Sequence, residues 1–119
     1  MQYMLLIYQN ETARQAAGEK QLQEVTGAYM AYTKAIRESG IWVAGDRLSP
    51  SSTATTVRWE SGSTKVLNGP YAETKEQLGG FYIIDVPDLD AALTWAARCP
   101  GAQYGVMEVR PVMGVPAVQ

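Results

Sequence analysis

Apolar residues recur along the chain at two spacings, and the switch between them divides it into elements. Residues 2–8, QYMLLIY, are a short run dominated by Met, Leu, Ile and Tyr and bounded by the polar Gln9-Asn10-Glu11-Thr12. That is too short for a helix and predicts an interior strand. Residues 9–18 are a polar connection with room for a helical turn. From Leu22 the period lengthens: Leu22, Val25, Tyr29, Tyr32 and Ile36 fall three or four apart, on one helical face, while Glu24, Lys34 and Glu38 point elsewhere. Gly40, just after Arg37, fits a positive-φ cap with a cation in the final turn.

Beyond the helix the pattern shortens again. Ile41 to Ala44 predicts a short strand closed by Gly45-Asp46-Arg47, and Leu48 to Ser52 reads as loop. Thr53 to Glu60 alternates, with Thr55, Val57 and Trp59 on one face and Thr56, Arg58 and Glu60 on the other, as in a half-buried strand. Ser61-Gly62-Ser63 turns it into Thr64 to Leu67, so the two runs form a hairpin. Phe81 to Val86 is a buried strand. Asp88 can cap a helix carrying Leu89, Ala92, Leu93, Ala96 and Ala97 on one face, which Pro100-Gly101 stops. Tyr104 to Val112 is the last strand, with Val106, Glu108 and Arg110 alternating against Met107 and Val109. The tail beyond Met113 has no periodicity and is expected to fray or to contact another subunit.

The stretch from Asn68 to Val86, NGPYAETKEQLGGFYIIDV, joins three signals with almost no spacer. Asn68-Gly69-Pro70 is turn chemistry, because Asn and Gly tolerate positive φ and Pro70 fixes its own. Gly79-Gly80 before the strand marks a bulge or a close approach of backbone or ligand. Between them stand Glu73, Lys75 and Glu76, which read first as a solvated loop and, alternatively, as one wall of a pocket.

The order strand, helix, strand, hairpin, strand, helix, strand predicts an α+β sandwich on the ferredoxin-like, split βαβ plan, with both helices on one face of the sheet. One sheet face is then left uncovered, and two such faces stacked in a symmetric homodimer would bury it. At 119 residues the chain makes one domain, 1–119, with a core that needs no disulfide.

Composition narrows the chemistry. Charged residues are 18% and the formal net charge is −2, so nothing attracts nucleic acid or an anionic membrane. No run approaches the roughly 20 apolar residues that span a bilayer, and the start lacks a secretory pattern, so the chain is expected in the cytoplasm. Cys99 is the only cysteine and there is no histidine. His-based nucleophile systems and His-based zinc sites are therefore excluded, no carboxylate cluster suggests a metal, and no cofactor is expected. Acid or base chemistry falls to carboxylates, lysines and tyrosines. Cys99 at a helix C-terminus reads as a packing residue, because the helix dipole disfavours a thiolate there.

Taken together, YMLLIY at 3–8, GIWVAGDRL at 40–48, TATTVR at 53–58, NGPYAETKEQLGGFYIIDV at 68–86, DLDAALTWAARCP at 88–100 and VMEVRPV at 106–112 resemble the YCII-related proteins, and within them the subgroup named for its Asp-Gly-Pro-Phe signature. The resemblance implies a dimeric α+β barrel fold and a pocket at the signature loop. It also implies proximity of some members to alternative sigma factors, and a His-Asp acid–base pair in the wider superfamily, one branch of which dechlorinates a chlorinated aromatic compound. Here Asn68 stands at the aspartate position of the signature and Tyr71 at the Phe position. Three functional readings follow. One is a small-molecule-binding domain with a pocket near Asp46, Arg58, Asn68, Tyr71, Glu73 and Lys75. Another is an enzyme in which Asp46, Glu73 or Glu76 supplies acid–base chemistry while Lys75 or Arg58 stabilises an anion. The third is a regulatory module docking a transcription-related protein partner.

Overall fold

The computed structural model describes residues 1–116; the last part of the tail, 117–119, lies outside the described residues. Strand β1 (Gln2–Gln9) is followed by a short helix α1 (Glu11–Ala16), the long helix α2 (Glu19–Glu38) and strand β2 (Trp42–Arg47). A 3₁₀ turn (Ser51–Thr53) leads into the hairpin β3 (Thr55–Glu60) and β4 (Ser63–Asn68), then β5 (Gln77–Asp85), α3 (Leu89–Arg98), α4 (Pro100–Tyr104) and β6 (Val106–Pro111). Four strands form one antiparallel sheet in the order β2-β5-β1-β6, the ferredoxin-like arrangement, and β3-β4 pair only with each other.

Alternation in β1 sends Tyr3, Leu5 and Ile7 to one face, where β5 adds Tyr82 and Ile84. Tyr32 and Ile36 of α2, Ala92 and Ala96 of α3 and Cys99 at its C-terminal cap close over that face. Leu5, Ile36 and Ile84 are completely buried, each worth about 1.5–3 kcal/mol of transfer free energy. Tyr32 meets Tyr82 and Trp95 edge-on and donates its hydroxyl to the Trp95 carbonyl at 2.7 Å, tying the two main helices together. The opposite sheet face carries Met4 and Leu6 paired with Ile83 and Phe81, and neither helix covers it.

Several boundaries differ from the sequence expectation, each for a local reason. Strand β2 runs on through Gly45-Asp46-Arg47, which reads as a closing turn in sequence, because this edge pairs with β5 as far as Arg47↔Gly80. Strand β5 starts at Gln77 rather than Phe81. The glycines are part of it, and the register slips between Ile7↔Gly80 and Tyr8↔Leu78, leaving Gly79 as the bulge. Pro100 does not end helical structure but opens a new helix, since a first-turn position needs no N–H; β6 accordingly starts at Val106. In α3 the buried side is Ala92 and Ala96 with Trp95 partly covered, whereas Leu89 and Leu93 of the expected face are 47% and 46% exposed. The small alanines let the helix seat closely and turn Trp95 toward Tyr32. The caps follow expectation: Asp88 accepts from the Ala91 N–H at 2.9 Å, and Gly40 takes φ +73°.

The hairpin departs most from expectation. Ser61 and Gly62 both have positive φ, as a two-residue type I′ turn requires. Val57, Val66 and Trp59 share one face, as the alternation predicts. That face is not half-buried: Val57 is 62% and Trp59 73% exposed, because among the described residues no other helix or strand packs substantially on the hairpin.

Candidate functional site

Helix α2 lies over the sheet so that Tyr32 and Ile36 are buried while Leu22, Val25 and Tyr29, earlier on the same stripe, are only partly covered. Beneath and beside them the β2–β5 edge is built from glycines. At Gly45 a Cβ would press within 3.0 Å of both the Trp42 and Tyr82 rings, and at Gly80 within 2.9 Å of the Asp46 carbonyl oxygen. The sequence thereby leaves a cleft of about 680 Å³ between α2 and this edge. That is the size range of sites for metabolite-sized ligands.

Its walls are of two kinds. Tyr29, Trp42 and Tyr82 supply aromatic surface, with Trp42 and Tyr82 edge-on at 6.1 Å between ring centroids. Arg14, Lys34, Arg37 and Arg47 supply positive charge, against Glu38 and Asp46. Lys34 pairs with Glu38 at 3.8 Å, both side chains largely exposed. The arginines are differently placed. Arg37 lies over the Trp42 ring at 4.0 Å, and Arg14 donates to the Gln9 amide oxygen at 2.9 Å. Arg47 points to the helix side, because it pairs with Gly80 on the face that also carries Tyr82. Among the described residues none of the three arginines is ion-paired. An adjoining hollow of about 480 Å³ shares Arg14, Arg47 and Gly79 with the cleft, and Glu11 closes it by accepting from the Ser51 N–H and hydroxyl at 2.8 and 2.6 Å.

At the deep end Thr33 and Tyr82 share a hydrogen bond of 2.8 Å between helix and sheet. Burial pushes the Tyr29 phenol well above its ordinary value, with the Cys99 charge adding to it, and does the same for Tyr82 against the opposing effect of the Thr33 bond. Both phenols are therefore protonated donors at neutral pH. Burial also raises the Cys99 thiol, which the Gly101 backbone and Tyr29 bonds only partly offset. Cys99 is 2% exposed, a packing residue.

Of the six residues singled out from sequence, Asp46 stands at the cleft, at its rim, since its register partner Phe81 lies on the open sheet face. Asn68 ends β4, Arg58 lies on β3, and Tyr71, Glu73 and Lys75 follow in the connection to β5; all five are exposed. Within that group Arg58 reaches the Tyr71 ring at 5.9 Å, and outside it pairs with Glu60 of the same strand at 3.6 Å. The lone chain does not bring them to Asp46. Arg14, Arg37, Trp42 and Arg47 were not singled out from sequence. The signal for Arg47 was its spacing of two from Gly45, which counts only if the strand continues past Ala44.

Residues 1–116 match the family model described as the YCII-related domain. The uncharacterised protein R00369 of Rhizobium meliloti (strain 1021) is 39% identical over 114 residues, covering 94% of this chain and 92% of the relative. Among solved structures, 5-chloro-2-hydroxyhydroquinone dehydrochlorinase (TftG) from Burkholderia phenoliruptrix AC1100, in complex with 2,5-dihydroxybenzoquinone, shares the fold. It matches with a TM-score of 0.51 at 14% identity, covering 94% of this chain and 93% of that one.

Proposed function

Given that the chain belongs to the YCII-related domain family, we propose that it binds a small molecule with a flat ring and an anionic group in the cleft between α2 and the β2–β5 edge. The observation that carries this is the lining: three arginines without a carboxylate partner among the described residues, set around Tyr29, Trp42 and Tyr82. A half-enclosed hollow strengthens the attraction of such cations for an anion, and a guanidinium can grip a carboxylate through two parallel bonds. The aromatic walls suit a ring. The complex of TftG with 2,5-dihydroxybenzoquinone, a flat ring compound, supports the choice of ligand shape in this fold.

The binding domain works as a homodimer in this reading. The apolar row Met4, Leu6, Phe81 and Ile83 on the open sheet face stacks on the same row of a second copy, giving the dimeric α+β barrel arrangement. The chain falls in the Asp-Gly-Pro-Phe subgroup with Asn68 and Tyr71 at two signature positions, and ligand occupancy is passed to a transcription-related protein partner.

A second reading, an enzyme, is favoured by the dehydrochlorinase activity named for the structural neighbour. Protonated Tyr29 and Tyr82 would donate to a developing oxyanion, with Asp46 or Glu38 as base. Turnover of a ring substrate that is lost in Asp46→Asn but retains its binding would select it.

The binding reading is tested by calorimetric titration with aromatic carboxylates and their neutral amides, on the parent and on Arg47→Gln. Carboxylates are expected to bind and amides to bind at least about tenfold more weakly, with Arg47→Gln losing about the same factor. Equal affinity for acid and amide, or full binding by Arg47→Gln, would overturn it.

A further inference from the structure

We infer that the β3–β4 hairpin is an arm that docks on a second copy of this chain. The inference extends the homodimer proposed above by assigning it a further contact surface. The arm stands away from the body. The radius of gyration is 16.6 Å, against roughly 13–14 Å for a compact chain of this length, and the molecule is a slab of 50 × 48 × 18 Å. A two-stranded hairpin with nothing packed on it is marginal in water. Yet this one is rich in large apolar side chains: Val57, Trp59 and Val66 on one face, Leu67 on the other, and Tyr71 just beyond its end, each 60–78% exposed.

The three on one face present on the order of 350 Å² of surface, which adds to the open sheet face toward the roughly 800 Å² per partner of a standard stable interface. A contiguous apolar patch of that size is often an interaction surface. The charges around them balance, Arg58, Lys65 and Lys75 against Glu60, Glu73 and Glu76, so the arm selects neither a polyanion nor a strongly basic protein. A second copy fits both features. Two-fold symmetry covers both arms by one contact made twice, and exchange of an identical element is a low-cost way to build it. Six residues of strand reach about 20 Å, the thickness of the slab they would cross. The base of the arm is fixed for this, since the Gly69 N–H donates to the Ala54 carbonyl at 2.7 Å and the Thr56 hydroxyl to the Gly69 carbonyl at 2.7 Å. Docking also carries Arg58, Asn68 and Tyr71 onto the partner, so a site built from them is shared between two chains.

Trp59 reports the contact directly. Acrylamide quenching of the parent, compared with Trp59→Phe to isolate the Trp59 signal, is measured above and below the dimer dissociation constant determined by sedimentation equilibrium. The expected result is a shielded Trp59 in the dimer that becomes freely quenched on dilution. Val57→Glu combined with Trp59→Glu is expected to raise the dissociation constant at least 100-fold with unchanged circular dichroism. A dimer in which Trp59 stays freely quenched overturns the arm while leaving the sheet-face dimer standing. Trp59 shielded in the monomer shows the hairpin folding back on its own chain, or a different occupant, and also overturns it. A chain that is monomeric at all concentrations overturns both. Should the double variant fail to fold, the quenching comparison on the parent decides alone.

Discussion

A side chain at Gly80 would collide with backbone rather than with another side chain. Its Cβ would lie 2.9 Å from the Asp46 carbonyl oxygen and 3.2 Å from the Arg47 Cα, both in the neighbouring strand β2. Neither can rotate away, so Gly80→Val has to push β2 off β5 where Arg47 pairs with Gly80 beside the cleft. Overpacking of this kind costs about 1–3 kcal/mol. In a chain of this length that lowers the melting temperature by roughly 4–15 °C. Urea and thermal unfolding followed by circular dichroism measure it. Gly79→Ala is the internal comparison, because there the Cβ would meet the Gln9 amide, the far end of a flexible side chain, and the expected loss is smaller. A Gly80→Val protein that melts with the parent, or a larger loss in Gly79→Ala, would refute the reasoning.

Other expectations follow from the same geometry. Burial holds the Cys99 thiol and the Tyr29, Tyr32 and Tyr82 phenols above their ordinary values of 9.0 and 10.0. Below about pH 9 both folded and unfolded chains keep these protons; above it the unfolded chain releases them first, so stability falls as pH rises. The urea midpoint should decline between about pH 9 and 11, and a constant midpoint would contradict the burial of these groups. Asp88→Ala removes the bond to the Ala91 N–H and should cost about 1 kcal/mol in a urea melt; no change would mean the cap is idle. Leu6→Glu places a charge on the open sheet face and should give a particle of 13.0 kDa by light scattering, where an unaltered dimer would place the interface elsewhere.

The sequence reveals the elements that repeat strongly and loses those that depend on a partner strand. The α2 stripe and the alternation in β6 carry their own periods, so Tyr32, Ile36, Met107 and Val109 can be assigned to the inner side before any packing is known, whereas the unbroken apolar run of β1 does not distinguish Leu5 from Leu6. Gly45-Asp46-Arg47 looks like a turn because Gly and Asp are common there, and only the pairing with β5 makes it strand. That one difference hides Arg47 and shifts attention to the Asn68 loop. The α3 face was displaced because alanines carry weak periodic signal while the bulky Leu89 and Leu93 dominate it, and close helix seating favours the small residues. Of the cleft, Tyr29 is legible on the helical stripe and Gly79-Gly80 as a close approach, while Trp42 and Gly45 are not. The meeting of Arg14, Arg37 and Arg47 is not legible either, since they come from three successive elements that only the packing of α1 and α2 on the sheet brings around one hollow.

The most direct test of ligand binding in the cleft is an amide ¹H–¹⁵N NMR titration of the native protein with an aromatic carboxylate. The expected result is a saturable set of shift changes confined to the cleft, including Thr33, Arg37, Trp42 and Arg47, with the exposed Lys20 and Asp90 unmoved. Shifts that fail to saturate, or that centre away from the α2–β2–β5 cleft, would contradict it.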